Sequence, residues 1–296
     1  MKPLTEAFFM SFLKDLKFNI LTKGFGLYVN SLHYLNAKFA AQTAYTLFSV
    51  PRRGMLKVLP TFLSSSKTKD LYFNEKKIKT YEWEGTKETV LLIHGWESNA
   101  NRWQGVIQYL KKKNYRLVAL DAPGQGLSDG KELNAVLYSQ FINEVVKHYR
   151  PDFMIGHSLG GMTMFYYMSV YQPDFVKKIV SLAAPNRFIR ITDNYRNMLS
   201  LSKKTYINFL LEFENRFQVN PKLFNSEDFV KKIKIPIAMI HDTIDTVVPY
   251  KDSLEVIQNN PKIPLFSTHG LGHSLYHQKV NKQIVCFFEN DENQFC

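Results

Sequence analysis

The feature that most constrains the fold is an alternation, from about residue 88 onward, of short β-branched runs with longer amphipathic stretches. This alternation is typical of a mainly parallel sheet with helices on both faces, because parallel strands need long crossovers between them. Six strands are predicted, in segments that end at Gly95, Pro123, Ser158, Pro185, Asp242 and Gly270. The helices between them are predicted at 101–113, 133–149, 159–171, 251–259 and 274–289. The sequence therefore predicts an α/β fold with helices flanking a central sheet.

Three segments fall outside this alternation. Residues 71–85 predict two strands joined through 74–77, a hairpin that adds an antiparallel edge to the sheet. Residues 1–67 predict an N-terminal helical extension with aromatic and basic faces, and residues 186–232, rich in Phe, Leu, Tyr and Met, predict a helical insertion. The predicted domains are the extension (1–67), the core (68–185 and 233–296) and the insertion (186–232).

Composition and charge exclude several classes of protein. Hydrophobic residues make up 45% of the 296, which is enough for a large buried core and excludes disorder. The net charge of +12 is uneven, since residues 1–67 carry nine Lys or Arg against only Glu6 and Asp15. This segment predicts either helices that wrap the core or a peripheral contact with an anionic membrane. Nucleic-acid binding is not expected, because no recognised module accompanies the basic residues.

The cysteines and the apolar runs bear on the compartment. Cys286 and Cys296 are the two cysteines, their spacing fits no metal-ligand motif, and so few exclude a disulfide framework. The apolar run 7–13 is bracketed by charges and lacks a small-residue cleavage site, so it predicts a helix and no signal peptide. The uncharged run 153–173 predicts a buried strand and helix, not a membrane span. We therefore expect a cytoplasmic protein, with a membrane-peripheral location as the alternative.

The string GHSLG at 156–160 follows a predicted strand and opens a predicted helix. A strand that turns directly into a helix strains the central residue, Ser158, and holds its hydroxyl above the carboxyl edge of the sheet. The helix N-terminus supplies N–H groups that stabilise negative charge on an attacked carbonyl. A serine hydroxyl also needs a base and an orienting group. Candidates occur after two later strands, in HDTIDTVVP (241–249) and HGLGHS (269–274). The alternative is a tight structural turn without chemistry.

Five motifs in order make the chain resemble the α/β-hydrolase superfamily over roughly residues 70 to 290. They are HGW (94–96), DAPGQGLS (121–128), GHSLGG (156–161), DTIDTVVP (242–249) and GLGHS (270–274). The resemblance implies Ser158 as nucleophile, Asp245 as acid and His273 as base. It also implies an oxyanion hole made by the backbone N–H groups of Trp96 and Leu159, and it makes the insertion a lid over the serine.

Alternatives to these assignments lie within the same motifs. Asp242 also ends a strand, but Asp245 stands just before VVP, the position that the family uses for the acid. His269 and His277 compete with His273, although His277 is predicted to lie a turn into a helix. Three further polar residues are interpreted as structural, namely His94, Asp121 and His157. The glycines of DAPGQGLS do not fit GxGxxG, which argues against a dinucleotide site.

These residues predict a serine hydrolase that cleaves carboxylic esters through an acyl-enzyme. The apolar insertion predicts uncharged substrates of short to medium chain, with a pocket lined by Phe188, Met198, Phe209 and Phe213. Ser158 excludes dehalogenases and epoxide hydrolases, which need a carboxylate nucleophile. A thioesterase, an acyltransferase or a carbon–carbon bond hydrolase would use the same triad, and a non-catalytic membrane-associated binding protein on this fold is a further alternative. The chemistry requires no cofactor or metal, and the oligomeric state stays open.

Overall fold

In the computed structural model, residues 3–290 and 294–296 are described, with side chains from residue 17 onward. The chain forms two compact units. The core unit comprises Val50–Asn186 and Asn225–Cys296, and the helical unit comprises Met1–Ser49 and Arg187–Phe224. The boundaries between the units therefore lie after residues 49 and 224, whereas the sequence predicts domain boundaries after residues 67 and 232. Residues after Ser49 join the core because the chain there pairs with a sheet loop: the Leu56 N–H donates to the Gly126 carbonyl at 3.0 Å.

One eight-stranded sheet organises the core unit. Its strands are β1 (Lys67–Phe73), β2 (Lys76–Trp83), β3 (Thr89–Ile93), β4 (Arg116–Leu120), β5 (Phe153–His157), β6 (Lys178–Leu182), β7 (Ile237–Asp242) and β8 (Leu265–Thr268). They lie in the order β1-β2-β4-β3-β5-β6-β7-β8. The six strands β3 to β8 are parallel to one another. At one edge of the sheet, β2 pairs antiparallel with β4, and β1 pairs antiparallel with β2. The predicted α/β class, the six strands and the antiparallel hairpin are confirmed.

The sequence pattern explains the sheet directly. Every residue of β3 and of β5 is buried, which agrees with apolar runs that helices cover on both faces. The hairpin turns through Asn74 and Glu75, both with positive φ (46° and 64°), as a two-residue turn between twisted strands requires. Because β3, β5, β7 and β8 are parallel, the loops after them all leave from one edge of the sheet.

The helices follow the predicted segments closely. They are α1 (Pro3–Leu35), α2 (Ala37–Ser49), α3 (Thr61–Ser64), α4 (Gln104–Lys111), α5 (Ala135–Tyr149), α6 (Leu159–Tyr171), α7 (Phe188–Leu199), α8 (Lys203–Phe217), α9 (Ser226–Val230), α10 (Lys251–Asn259) and α11 (Gln278–Glu289). The predicted helix 101–113 divides into a 3₁₀ turn, Ala100–Trp103, and α4. Helix α11 begins later than predicted because Leu275 has a positive φ of 56° and His277 caps the helix, its Nδ1 accepting from the Lys279 N–H.

Aromatic packing holds each unit together. In the core unit, Phe153 of β5 stacks on Phe288 of α11 with 4.3 Å between ring centroids, inside a cluster that also buries Trp103. In the helical unit, α2 contacts α8 and α1 contacts α7. Burying each such side chain contributes roughly 1.5–3 kcal/mol to the free energy of unfolding.

The cysteines correct one expectation. Cys286 of α11 and Cys296 form a disulfide, with 5.9 Å between their Cα atoms. Two cysteines are too few for a disulfide framework, but they form a single bridge that fastens the C-terminal segment to α11 and that their number does not predict. Among the described residues, no helix combines the length and apolarity that a membrane crossing requires.

Candidate active site

Ser158 stands where β5 turns directly into α6. Its backbone has φ 54° and ψ −128°, a strained conformation for a residue with a side chain. The turn is tight enough that a Cβ on Gly160 would collide with the carbonyl oxygens of Ile93 and His94, at the end of the neighbouring strand. Glycine is therefore required for the helix to begin so close to the sheet. The hydroxyl of Ser158 is consequently held at the carboxyl edge, next to the N-terminus of α6.

The three predicted triad residues come together at this edge. His273 Nε2 lies 3.0 Å from Ser158 Oγ, and His273 Nδ1 lies 2.7 Å from Asp245 Oδ2. Each side chain is contributed by a different loop: Ser158 follows β5, Asp245 follows β7 and His273 follows β8. In the β8 loop, Gly272 has a positive φ of 60°, which turns the chain so that the imidazole reaches the serine. The spacing is that of a nucleophile, a base and an orienting carboxylate within hydrogen-bond reach.

The carboxylate of Asp245 accepts more hydrogen bonds than its contact with His273 requires. Oδ1 accepts from the N–H groups of Val247 and Val248 at 2.8 and 3.0 Å, and His241 Nε2 lies 3.2 Å from Oδ2. Burial raises the pKa of Asp245, but the hydrogen bonds, that from His241 first and that from His273 next, outweigh burial and leave the pKa below its ordinary value. The carboxylate of Asp245 is therefore held ionised beside the imidazole of His273.

The rivals to these residues have other roles. Asp242 Oδ2 accepts from the Thr268 hydroxyl at 2.7 Å and from the Leu271 N–H at 2.9 Å, so Asp242 joins the loops after β7 and β8. His269 Nδ1 lies 2.8 Å from the Thr243 hydroxyl oxygen. His277, as described above, caps α11. None of these three side chains has a described hydrogen bond to Ser158.

The segment 94–96 adjoins the serine on its other side. A Cβ on Gly95 would lie 2.9 Å from Ser158 Cβ and 3.4 Å from Ser158 Oγ, so only glycine fits between the two strand ends. The N–H of Trp96 follows directly after this contact. The N–H of Leu159 belongs to the first turn of α6, where N–H groups have no intrahelical acceptor. These two predicted oxyanion donors are thus adjacent to Ser158 in the chain or in space.

Comparison with known proteins agrees with the fold and the motifs. A family model described as alpha/beta hydrolase fold matches residues 88–217. The bifunctional esterase/perhydrolase of Acinetobacter calcoaceticus is 24% identical over 259 residues, covering 68% of this chain and 91% of that protein. The chain belongs to the α/β-hydrolase superfamily. Its membership, with esterases among the named relatives, makes it a hydrolase enzyme.

Two further similarities cover very different shares of the chain. A pimeloyl-[acyl-carrier protein] methyl ester esterase of Vibrio vulnificus is 29% identical over 109 residues, and this match spans 36% of this chain and 41% of that protein. An esterase from Pyrococcus furiosus superposes with a TM-score of 0.60 at 20% identity, covering 81% of this chain and 96% of the other. At that identity the superposition supports the fold alone. The family model ends before Asp245 and His273, so their roles rest on the geometry.

In this α/β-hydrolase, His94 and Asp121 organise the loops around the serine, as the sequence suggested. His94 Nε2 accepts from the Ala122 N–H at 2.9 Å, so Nδ1 carries the proton and donates to the Gly95 carbonyl at 2.8 Å. Burial lowers the pKa of His94 to about 3, which keeps the ring neutral. Asp121 accepts from the N–H groups of Ala100 and Leu127 at 2.8 and 2.9 Å. Buried hydrogen bonds therefore fix the loops beside Ser158.

His157, interpreted from the sequence as a wall of the serine turn, also contacts the base loop. Its Nε2 lies 2.8 Å from the backbone carbonyl of His273, and because a carbonyl only accepts, Nε2 is the donor. Burial lowers the pKa of His157 well below its ordinary value. The residue before Ser158 thus fixes the backbone position of His273 through a hydrogen bond.

His241 is the residue that the sequence argument missed. Its Nε2 lies 3.0 Å from the Val248 carbonyl, which only accepts, so Nε2 carries a proton that it shares with Asp245 Oδ2. Its Nδ1 lies 2.7 Å from the Ser253 hydroxyl oxygen, and the ring is completely buried. A signal was present in the sequence, since His241 precedes Asp245 by four residues at the end of a predicted strand.

The four predicted pocket residues lie in the helical unit. Phe188, Phe209 and Phe213 are at most 4% exposed, and Met198 is half-buried. Phe188 packs on Phe213 with 4.7 Å between ring centroids, and Phe48 of α2 packs on both Phe188 and Phe209. Packing inside the unit accounts for the apolar character of the three phenylalanines without a ligand. Their assignment to a substrate pocket stays a prediction.

Proposed function

We propose that this hydrolase cleaves carboxylic esters through an acyl-enzyme on Ser158. In the first step His273 Nε2 accepts the hydroxyl proton while Oγ forms a bond to the ester carbonyl carbon. The tetrahedral intermediate collapses as the imidazolium returns that proton to the leaving alkoxide, and an alcohol departs. Water then repeats the sequence: His273 accepts one of its protons as the water oxygen forms a bond to the acyl carbon. The bond from that carbon to Ser158 Oγ breaks as the imidazolium returns the proton to Oγ, and the carboxylic acid leaves.

The observation that carries this proposal is the hydrogen-bonded chain from Ser158 Oγ through His273 to Asp245, with distances of 3.0 and 2.7 Å. The pKa of Asp245 is below its ordinary value, so its carboxylate is ionised. The negative charge of this carboxylate would stabilise the His273 imidazolium. The N–H groups of Trp96 and Leu159 would stabilise the oxyanion, and one such donor contributes on the order of 100-fold or more to the rate. Esterases among the relatives favour an ester over other acyl substrates.

Covalent labelling tests the nucleophile. The wild-type protein should react with a fluorophosphonate probe, and Ser158→Ala should lose both labelling and ester hydrolysis. Ser274→Ala is the matched control, since Ser274 is an exposed serine in the loop that carries His273. Equal labelling of wild type and Ser158→Ala, or loss of labelling in Ser274→Ala alone, would contradict the assignment.

For the substrate we propose uncharged acyl esters of short to medium chain, selected by the helical insertion. The support is the insertion's apolar composition, including the half-buried Met198. A series of nitrophenyl esters should show the highest kcat/KM for short to medium uncharged acyl groups, with lower values for charged or very long ones. A matched series of acyl thioesters separates the alternative: higher kcat/KM for thioesters at every chain length would replace the esterase proposal by a thioesterase.

We also propose a cellular location for this hydrolase, namely the cytoplasm. A cytoplasmic position follows from the sequence argument alone, and the disulfide between Cys286 and Cys296 weighs against it, since structural disulfides are rare in reducing compartments. Fractionation of cells under thiol-trapping conditions decides the matter. Recovery in the cytosolic fraction with both thiols free would support the cytoplasm, whereas recovery of the oxidised protein in another fraction would contradict it.

A further inference from the structure

Helix α1 exposes a series of large apolar side chains. Leu27 is 69% exposed, Tyr34 86% and Leu35 85%. Together with six others they form what we call the α1 face. Its members are Phe18, Ile20, Leu21, Phe25, Leu27, Tyr28, Tyr34 and Leu35 of α1 and Phe39 of α2. Single exposed apolar residues are ordinary, but nine within 22 residues form a continuous surface, about 25 Å long on the helical part, of the kind that marks an interaction site.

Packing inside the helical unit does not explain these side chains. The side of α1 that is buried carries Thr22, Gly26 and Val29, and a Cβ on Gly26 would collide with the backbone carbonyl of Leu199 in α7. Lys23 Nζ donates to the Asn197 carbonyl at 2.8 Å on the same side. The helix thus packs through Thr22, Gly26 and Val29 and leaves most of its large apolar side chains toward solvent.

The charge around the α1 face is positive. The sequence contains no acidic residue between Asp15 and Asp70, whereas Lys17 and Lys38 are exposed within or beside the face. Counted over its two segments, the helical unit has 12 Lys or Arg and 5 Asp or Glu, out of 38 and 26 in the whole chain. A second copy of the chain would bring two positive surfaces together, which repulsion disfavours. An anionic lipid surface satisfies both the apolar and the basic residues.

We propose that the α1 face docks on an anionic membrane surface. Since no described helix qualifies as a membrane crossing, α1 would lie in the plane of the interface. Its aromatic and aliphatic side chains would enter the boundary between headgroups and acyl chains, and its lysines would contact anionic headgroups. The proposal does not depend on the triad, and it gives the hydrolase access to acyl esters that are carried in a lipid layer.

Vesicle co-sedimentation of the full chain tests the apolar part. Wild type should bind vesicles of phosphatidylcholine and phosphatidylglycerol at low salt. The triple variant Leu27→Ser, Tyr34→Ser, Leu35→Ser should lose affinity for these vesicles by on the order of 10-fold or more. All three side chains are largely exposed, so the variant should fold. The matched control is Tyr72→Ser, Val170→Ser, which removes exposed apolar side chains (60% and 55% exposed) from the core unit and should bind as wild type.

A charge-reversal pair tests the basic part. Lys17→Glu, Lys38→Glu should weaken binding to phosphatidylglycerol vesicles several-fold and abolish the advantage over pure phosphatidylcholine. Lys111→Glu, Lys262→Glu changes the net charge equally on exposed residues of the core unit and should bind nearly as wild type. Equal losses in the two pairs would mean that only overall charge matters, and would overturn the assignment to this face.

Two other results would overturn the proposal. One is the absence of vesicle binding by the wild type at low salt. The other is a dimer in light scattering that the triple variant dissociates, without vesicle binding, because the α1 face would then belong to a second copy. Ser158→Ala should bind vesicles as wild type does. A failure of the membrane proposal is therefore distinguishable from a failure of the proposed esterase chemistry.

Discussion

The two units of the molecule use their buried residues differently. The core unit buries a set of hydrogen-bonded polar side chains at the carboxyl ends of its strands. They include His94, Asp121, His241, Asp242 and Asp245. The helical unit buries a cluster of aromatic rings, among them Tyr45, Phe188, Tyr195, Phe209 and Phe213. Its exposed side, by contrast, carries the apolar residues of the α1 face.

The two kinds of buried residue place different demands on the structure: hydrogen-bonded polar groups need exact atom positions, whereas packed aromatic rings need only to fill the available volume. A hydrogen-bonded carboxylate such as Asp245 fixes where single atoms lie, because each bond requires a short distance and a direction. An aromatic cluster needs only to be filled at high density, so several arrangements of similar volume would stabilise it. We therefore expect substitutions in the core site to change the rate of hydrolysis first, and substitutions inside the helical unit to change stability first.

The largest effect is expected at Asp245. Asp245→Asn keeps the size of the side chain but removes the negative charge that stabilises the His273 imidazolium and fixes its tautomer. The rate of ester hydrolysis should fall on the order of 10³ to 10⁴-fold. Stopped-time assays with a nitrophenyl ester measure this loss, and Asp242→Asn serves as control because Asp242 has no described hydrogen bond to His273. A larger loss in the control would assign the acid to Asp242.

The same variant changes how stability depends on pH. The pKa of Asp245 is lower in the folded protein than its ordinary value of 3.8. Its carboxylate therefore stabilises the fold above that value, and this contribution is lost as the pH falls toward the folded pKa. The unfolding free energy of the wild type should decrease more steeply below about pH 4 than that of Asp245→Asn. Parallel denaturant titrations check it, and identical slopes would contradict the lowered pKa.

Inside the helical unit, Phe209→Ala should act on stability. Phe209 is completely buried, and its ring packs on Phe48 and Tyr195. Truncation leaves a cavity and should lower the unfolding free energy by about 3–5 kcal/mol. Leu211→Ala on the same helix is the control, since Leu211 is 48% exposed and should cost far less. If Phe209→Ala left the melting temperature unchanged but altered the preferred acyl chain length, Phe209 would be a pocket residue and the contrast between the units would weaken.

The disulfide offers a medium effect within the core unit. Cys286→Ala removes the link that closes a segment of sequence separation 10 and should lower the unfolding free energy by roughly 2–3 kcal/mol. The rate of hydrolysis should not change, because α11 contributes no triad residue. Denaturant titration with and without a reducing agent checks the cause: the difference between wild type and variant should disappear when the wild type is reduced.

The smallest effect is expected at His241, which holds the acid without touching the serine. His241→Phe removes the donor to Asp245 Oδ2, so kcat should fall roughly 10- to 100-fold with KM nearly unchanged, the size typical of an orienting partner. His241→Gln keeps an N–H donor near the Nε2 position and should recover part of the rate. A fall of both variants by the same factor, together with lower melting temperatures, would make His241 a structural residue only.

The fold could be predicted because its signals are local. Each of the six predicted strands exists and ends within three residues of its predicted end, and α6 and α10 have the predicted bounds, since apolar period and capping residues act over a few neighbours. Helix α11 was predicted to begin at Ser274 because the pattern does not reveal the positive φ of Leu275 or the capping by His277. The domain boundaries were harder to predict, since compactness depends on contacts between segments far apart in the chain.

The sequence by itself determined the order of strands and helices, and with them the edge of the sheet at which Ser158, Asp245 and His273 occur, because parallel strands bring their carboxyl ends together. Only the tertiary structure decided which of the neighbouring acids and histidines meet. Asp242 and Asp245 are three residues apart and chemically identical, and a small difference in loop direction turns one toward the imidazole and the other toward Thr268. The proton that His241 shares with Asp245 was likewise decided by folding, since hydrogen bonds depend on directions in space that no local pattern encodes.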